Sequence, residues 1–146
     1  MKLAIQEAEQ ALMEDEVPVG CIIVKDDKVI GKGHNRVETL KDPTAHAEIL
    51  AITAAAATLN NWRLLDSTLY TTVEPCLMCT GAIILARLKR VVYGTKDEKF
   101  GCLESKYTIE RDNRFNHRFE VTGGVLSHEA TNLLKKFFKQ RRLKSD

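Results

Sequence analysis

The sequence predicts one α/β domain over residues 1–146, with helices layered on a mixed β-sheet. Three observations predict it. Short β-rich runs alternate with stretches of helical spacing, in the order α-β-β-α-β-α-β-(β)-α. Hydrophobic residues make up 44% and charged residues 29%, a globular balance in a chain long enough to bury a core without staples. No repeat, low-complexity segment or linker marks a second domain.

Each element has its own signal. In residues 2–14, Leu3, Ala4, Ala8, Ala11 and Leu12 fall at helical spacing ahead of Pro18. Val19–Val24 and Val29–Gly31 flank Asp26-Asp27-Lys28 and read as a β-hairpin. Asp42-Pro43-Thr44 punctuates a loop, and Thr44 is the expected N-cap of a helix through about Leu59. Its inward face is expected to carry Ala47, Leu50, Ala51, Ala54 and Thr58. Asn60-Asn61 breaks that helix, and Thr68–Val73 reads as a buried strand. Pro75 ends the strand, and a helix is expected from Cys76 to about Leu88. Arg90–Gly94 is a short strand. Thr95–Arg118 has no clear period, and Phe119–Thr122 reads as a last strand before Gly123-Gly124. Ala130, Leu133, Leu134, Phe137 and Phe138 then form an amphipathic helix with Ser127 as its expected cap.

Net charge is only +2, which by itself argues against a nucleic-acid partner. Its distribution argues otherwise. Residues 1–86 carry a net −5 and residues 87–146 a net +7, a pattern that suits a polyanion-binding face on the second half. No apolar run reaches the ~18 residues of a membrane span. The first seven residues, Met1 to Glu7, meet acid too early for a secretory signal, so a cytoplasmic protein is expected.

Four cysteines without an export signal do not suggest a disulfide framework. Cys76 and Cys79 stand in Glu74-Pro75-Cys76-Leu77-Met78-Cys79, a strand feeding a CxxC at a helix start. A helix amino terminus favours thiolate, which both a redox dithiol and a metal site require, so the motif alone leaves both open. Upstream, Thr44-Ala45-His46-Ala47-Glu48 also opens a helix. His46 with Cys76 and Cys79 makes three ligands, which for tetrahedral zinc leaves one position for water. Two thiolates acidify that water less than neutral ligands would, so a nearby base helps. Glu48, two residues from His46 and off its face, is placed to be that base rather than a fourth ligand. A structural zinc site would need another Cys or His, for which Cys102 is the nearest cysteine. A redox dithiol leaves His46 and Glu48 unexplained.

His46-x-Glu48 followed by Pro75-Cys76-x-x-Cys79 resembles the signature of zinc nucleobase deaminases. The resemblance extends through Pro18-Val19-Gly20, Gly33-His34-Asn35-Arg36, Asp42-Pro43-Thr44, Asn61-Trp62-Arg63-Leu64, Gly81-Ala82-Ile83 and Arg114–Arg118, all in order. Over nearly the whole chain it is similar to the bacterial tRNA-specific adenosine deaminase family. Free cytidine deaminases usually carry Cys where His46 stands, and riboflavin-pathway deaminases space their cysteines further apart. The resemblance implies a cytidine deaminase-like fold, a mixed five-stranded sheet sandwiched by helices. It also implies a homodimer with active sites near the subunit interface, and conversion of adenosine to inosine at the wobble position of a tRNA anticodon. By matching position it implies one Zn2+ per subunit on His46, Cys76 and Cys79, with Glu48 shuttling protons. Asn35 would hydrogen-bond adenine; Val19, Gly20, Ala47, Glu74 and Pro75 would wall the base pocket; Asp97 would stand at the substrate edge. Phe137 or Phe138, with Arg141 and Arg142, would meet RNA along the terminal helix. A free-base deaminase of the same superfamily, such as a guanine deaminase, is the alternative.

Several positions receive plainer expectations. Lys99–Ser105 is bulkier than the small residues usual in that family, with Glu104 where Gly is common. Cys102 there is a candidate reactive thiol. Trp62 is expected to pack its loop, Cys21 to be a small core residue, and His128 to lie on the surface. His34 and His117 lie in matching motifs without an assigned chemistry.

Overall fold

A computed structural model describes residues 1–145. The chain opens with helix α1 (Lys2–Met13), followed by strands β1 (Gly20–Lys25) and β2 (Lys28–His34). Asp26 and Asp27, at φ 50° and 61°, make the tight turn between them. Both residues lie in the left-handed region that a type I′ turn requires, and this geometry follows the natural twist of paired strands. Next come a one-turn helix α2 (Val37–Leu40), α3 (Ala47–Leu59), β3 (Thr68–Val73), α4 (Leu77–Ala86) and β4 (Arg90–Thr95). A 3-10 turn (Ile109–Arg111), β5 (Glu120–Thr122) and α5 (Ser127–Ser145) complete the described chain. The sheet runs β2-β1-β3-β4-β5. β1 is antiparallel to both β2 and β3, whereas β3, β4 and β5 run parallel. The expected mixed five-stranded sheet between helices is thus the observed one.

Small residues let the helices lie close. Gly20 points at α1, where a Cβ would run into the backbone of Ala4 and Ala8. Gly31 and Gly33 point at α3, where a Cβ would strike the backbone of Ala51 and Ala47. Cys21 pairs with Gly33 and therefore faces α3 as well; it is fully buried, as expected. Between the sheet and helices α3 and α4 sits the main core, which includes Ile23, Leu69, Val91, Tyr93, Ala51, Ala55 and Ile83. α1 and α5 cover the other face, with Ala130 packed beside Gly94 of β4.

Several local expectations need correction. His46, not Thr44, caps α3, because Thr44 spends its hydroxyl and amide on the Asp42 carboxylate (2.7 and 2.8 Å). The buried face of α3 is Ala47, Glu48, Ala51 and Ala55, whereas Thr58 is exposed. Ser127 is the first helical residue of α5; the carbonyl of Leu126 accepts the first helical bond, from Ala130. α4 ends at Ala86 because Arg87 turns left-handed (φ 62°). Trp62 is 58% exposed, and its ring is covered by the Arg63 guanidinium 4.3 Å away instead of by its loop. Cys102 is buried, and burial pushes its thiol above the ordinary range, so it is not the exposed reactive thiol its neighbourhood suggested. His128 is exposed, as expected.

Candidate active site

Two helix starts and the carboxyl ends of β3 and β4 converge at one point. α3 and α4 each begin on a residue in extended backbone, His46 (φ −75°, ψ 153°) and Cys76 (φ −75°, ψ 178°). α3 packs beside α4 on the same face of the sheet, which brings together residues 30 apart in sequence. His46 Nδ1 lies 3.6 Å from Cys76 Sγ and 3.5 Å from Cys79 Sγ. Nitrogen and sulfur at zinc's usual bond lengths in a tetrahedron stand about 3.6 Å apart. The three donors therefore fit a zinc-sized ion. Among the described residues they form the only group of three His, Cys, Asp or Glu side chains spaced to hold a metal. Cys102 is not part of it, which removes the closed structural site.

The electrostatics point the same way. Hydrogen bonding with Cys79, then with His46, pulls the Cys76 thiol down to about 4. The same contact with Cys76, together with burial, pushes the Cys79 thiol up. One thiolate forms readily here, and a second requires a cation beside it. The hydrogen bond with Cys76 raises His46. Glu48 is 4% exposed, and burial raises its carboxyl above the ordinary glutamate range. It stands outside the three-donor group, as a base beside a metal should.

These residues open on a cavity of about 710 Å³. Val19, Asn35, Ala47, Glu74, Asp97, Phe137, Phe138 and Arg141 line it. Gly20, Pro75 and Arg142 are not among its lining residues. Gly20 turns to α1; the Pro75 carbonyl accepts the Cys102 amide at 2.9 Å; Arg142 is exposed one position past Arg141 on α5. Asn35 is 8% exposed, with Nδ2 donating to the Val17 carbonyl (3.3 Å) and Oδ1 accepting from the Val37 amide (3.4 Å). Both bonds are long, which leaves the amide free to exchange them for a ligand. Phe137 is buried and meets Phe138 edge-on at 5.2 Å, and Phe138 is 47% exposed. Arg141 stacks 5.1 Å over Phe137 and donates to the Asp15 carbonyl (3.1 Å).

Some lining residues were given no site role from the sequence. Glu16, the last of three consecutive acids (Glu14-Asp15-Glu16), is 1% exposed. Its carboxylate accepts from the Glu38 amide (3.2 Å) and from the Thr39 amide and hydroxyl (2.6 and 2.9 Å), holding α2 beside Asn35. Phe100 also reaches the cavity. Glu74 shows more than wall contact. Its carboxylate accepts the amides of Asp97 (3.1 Å), Leu103 (3.0 Å), Glu104 (2.8 Å) and Ser105 (3.0 Å) and the Ser105 hydroxyl (2.6 Å). Burial pushes this carboxyl up, but these bonds outweigh it and hold it below its ordinary value. The two unassigned histidines are structural. His34 lies between Glu7 (3.0 Å) and Glu14 (3.1 Å) of the α1 region, and His117 Nε2 bonds the Leu88 carbonyl (2.6 Å).

A mixed sheet of this order, with a His-x-Glu helix start facing a Pro-Cys-x-x-Cys helix start, defines a cytidine deaminase-like hydrolase. The MafB19-like deaminase family matches residues 1–142. A tRNA-specific adenosine deaminase of Streptococcus pyogenes serotype M1 is 49% identical over 142 residues, 97% of this chain and 83% of that protein. A solved structure from a study of A-to-I editing by tRNA:A34 deaminases superposes with a TM-score of 0.88 at 41% identity, covering 92% of this chain and 97% of that one. Guanine deaminase from Bacillus subtilis is 44% identical, but covers only 65% of this chain and 61% of its own, with a TM-score of 0.62. The chain belongs to the MafB19-like deaminase family and, within it, to the tRNA-specific adenosine deaminases.

Proposed function

We propose that the protein hydrolyses adenosine to inosine and ammonia at the wobble position of a tRNA anticodon, with one Zn2+ per subunit. The observation that carries this reading is Glu48, a buried carboxyl beside a three-donor nitrogen and sulfur group at a cavity with room for more than one nucleotide base. The tRNA reading over free guanine is supported by identity at full coverage: the tRNA:A34 deaminase is 41% identical over 92% of this chain, whereas a guanine deaminase of Nitrosomonas europaea covers 93% of it at only 26%. An ion on His46, Cys76 and Cys79 supplies, when bound, the Lewis acidity that makes water nucleophilic near neutral pH.

The remaining work falls to the chain. Glu48 takes a proton from the attacking water and delivers it to the purine ring nitrogen N1. It then carries the second proton to the amino nitrogen on C6, which leaves as ammonia. A carboxyl raised by burial gives and takes protons closer to neutral pH than an exposed one. Asn35 bonds the base edge, with Val19 and Ala47 as walls and the backbone at Gly20 and Pro75 beyond them. A base already unpaired in a loop enters such a pocket with little unstacking cost. Asp97, Phe137, Phe138, Arg141 and Arg142 border the RNA path.

A homodimer and a cytoplasmic location complete the reading. α4 leaves Leu77 60% and Leu85 68% exposed, and beyond Gly81 there is open space, a face suited to a second copy of the chain. No helix among the described residues is long and apolar enough to cross a membrane.

The test is an anticodon stem-loop with adenosine at the wobble position, assayed for inosine beside free guanine, adenosine and cytosine. Turnover of the stem-loop alone is expected. Glu48→Ala is expected to abolish turnover while still binding about one zinc per chain; inosine formed by that variant rules out the role given to Glu48.

A further inference from the structure

Phe100 is 66% exposed and lines the same cavity as Glu48 and Asn35. Its loop is fastened on every side. The Asp97 carboxylate accepts the amides of Lys99 (3.1 Å) and Phe100 (3.2 Å), and the Asp97 carbonyl accepts the Gly101 amide (2.8 Å). Immediately after Phe100, residues 101–103 are buried, with the Cys102 amide on Pro75 and the Leu103 amide on Glu74. Gly101 lies so close to the Glu74 carboxylate that a Cβ there would collide with it. The ring is therefore presented by a backbone with little freedom left to lose. Phe138 of α5 brings a second half-exposed ring to the same cavity. Charge around the ring is balanced, with Lys96 paired to Glu104 (3.4 Å) and Arg141 close to Asp15 (3.8 Å), so the contact that the ring offers is its apolar face.

We propose that Phe100 is a stacking platform for the nucleobase next to the reacting adenosine, and so a substrate-binding residue of this chain. The proposal rests on the tRNA reading above and adds the contact beyond the reacting base. Aromatic stacking tolerates any base, because each presents a π-face. Phe100 thus holds the neighbouring nucleotide out of the loop stack while the adenosine enters the cavity. Presentation on a fixed loop lowers the ordering cost of that contact.

The experiment is a cycle between protein and RNA. The zinc-loaded wild type and the variants Phe100→Ala and Phe100→Trp act on the stem-loop, with an abasic residue placed on either side of the wobble adenosine in turn. Phe100→Ala is expected to raise KM roughly ten-fold with kcat nearly unchanged, and Phe100→Trp to keep the wild-type KM. An abasic residue on one side is expected to cost the wild type the same factor and Phe100→Ala almost nothing more. Equal abasic penalties in the wild type and Phe100→Ala on both sides overturn the proposal, as does an unchanged KM for Phe100→Ala. A weaker dimer with unchanged KM overturns it too, since the ring then serves a second copy of the chain. If the wild type forms no inosine in the stem-loop, the tRNA reading fails and this one falls with it. Because the ring is largely exposed, its truncation is expected to leave zinc content and melting temperature at wild-type values.

Discussion

Glu74→Gln is an isosteric change that removes one charge from the most heavily bonded carboxylate near the site. Its Oε2 accepts three backbone amides, from Leu103, Glu104 and Ser105, and its Oε1 accepts the Asp97 amide and the Ser105 hydroxyl. A glutamine keeps only one acceptor oxygen. If that oxygen takes the Oε2 place, three amides keep a partner, the Ser105 hydroxyl can reverse its direction, and the Asp97 amide faces an NH2 group. Each retained bond also loses its charge assistance, about 1 kcal/mol apiece. The lost Asp97 bond adds roughly 1 kcal/mol, so the variant is expected to be about 4–5 kcal/mol less stable. Glu74→Ala, which strips every partner at once, is expected to cost at least as much. Urea unfolding of zinc-loaded protein measures the total. Amide hydrogen exchange locates it, with faster exchange expected at residues 97 and 103–105 and unchanged protection in β1. The loop carries Asp97 and Phe100 to the cavity, so KM for the stem-loop is expected to rise at unchanged zinc content. A Glu74→Gln protein within about 0.5 kcal/mol of wild type, with residues 103–105 still protected, would refute the reasoning.

Other expectations follow from the same geometry. Gly33→Ala drives a Cβ into the α3 backbone at Ala47, beside His46 and Glu48; a loss of about 1–3 kcal/mol in urea unfolding and weaker zinc retention are expected. Chelation of the metal is expected to lower the melting temperature and abolish turnover, with recovery on adding zinc, because ligand binding to the folded state adds to its stability. A redox dithiol would show neither effect. The exposed Asp112 carboxyl is held down to about 2 by the Arg114 side chain and amide. Any stability that pair gives is present above Asp112's ordinary value of 3.8 and lost as pH falls through about 2. In an NMR titration, Arg114→Ala is expected to move the midpoint back toward 3.8.

Read alone, the sequence determined the chemistry and most of the elements. His46, Glu48, Cys76 and Cys79 announce themselves because metal and proton chemistry need particular side chains at helix starts, and the punctuation of Asp26-Asp27, Asn60 and Pro75 is local backbone physics. Residues whose work depends on distant partners stayed hidden. Nothing local to Glu16 marks it for burial, and only the approach of α2 gives its carboxylate three donors. Glu74 was legible as a pocket wall, but its hold on residues 97–105 depends on a loop with no periodicity closing over it. Thr44 was a reasonable cap by type, yet the nearer Asp42 carboxylate took its hydrogen bonds and passed the helix start to His46. The tertiary structure also set the two phenylalanines of α5 apart, burying Phe137 under Arg141 and leaving Phe138 half-exposed, with both on the cavity wall. Helical spacing assigns a ring to a face, but only the packed neighbour decides which rings along that face are covered.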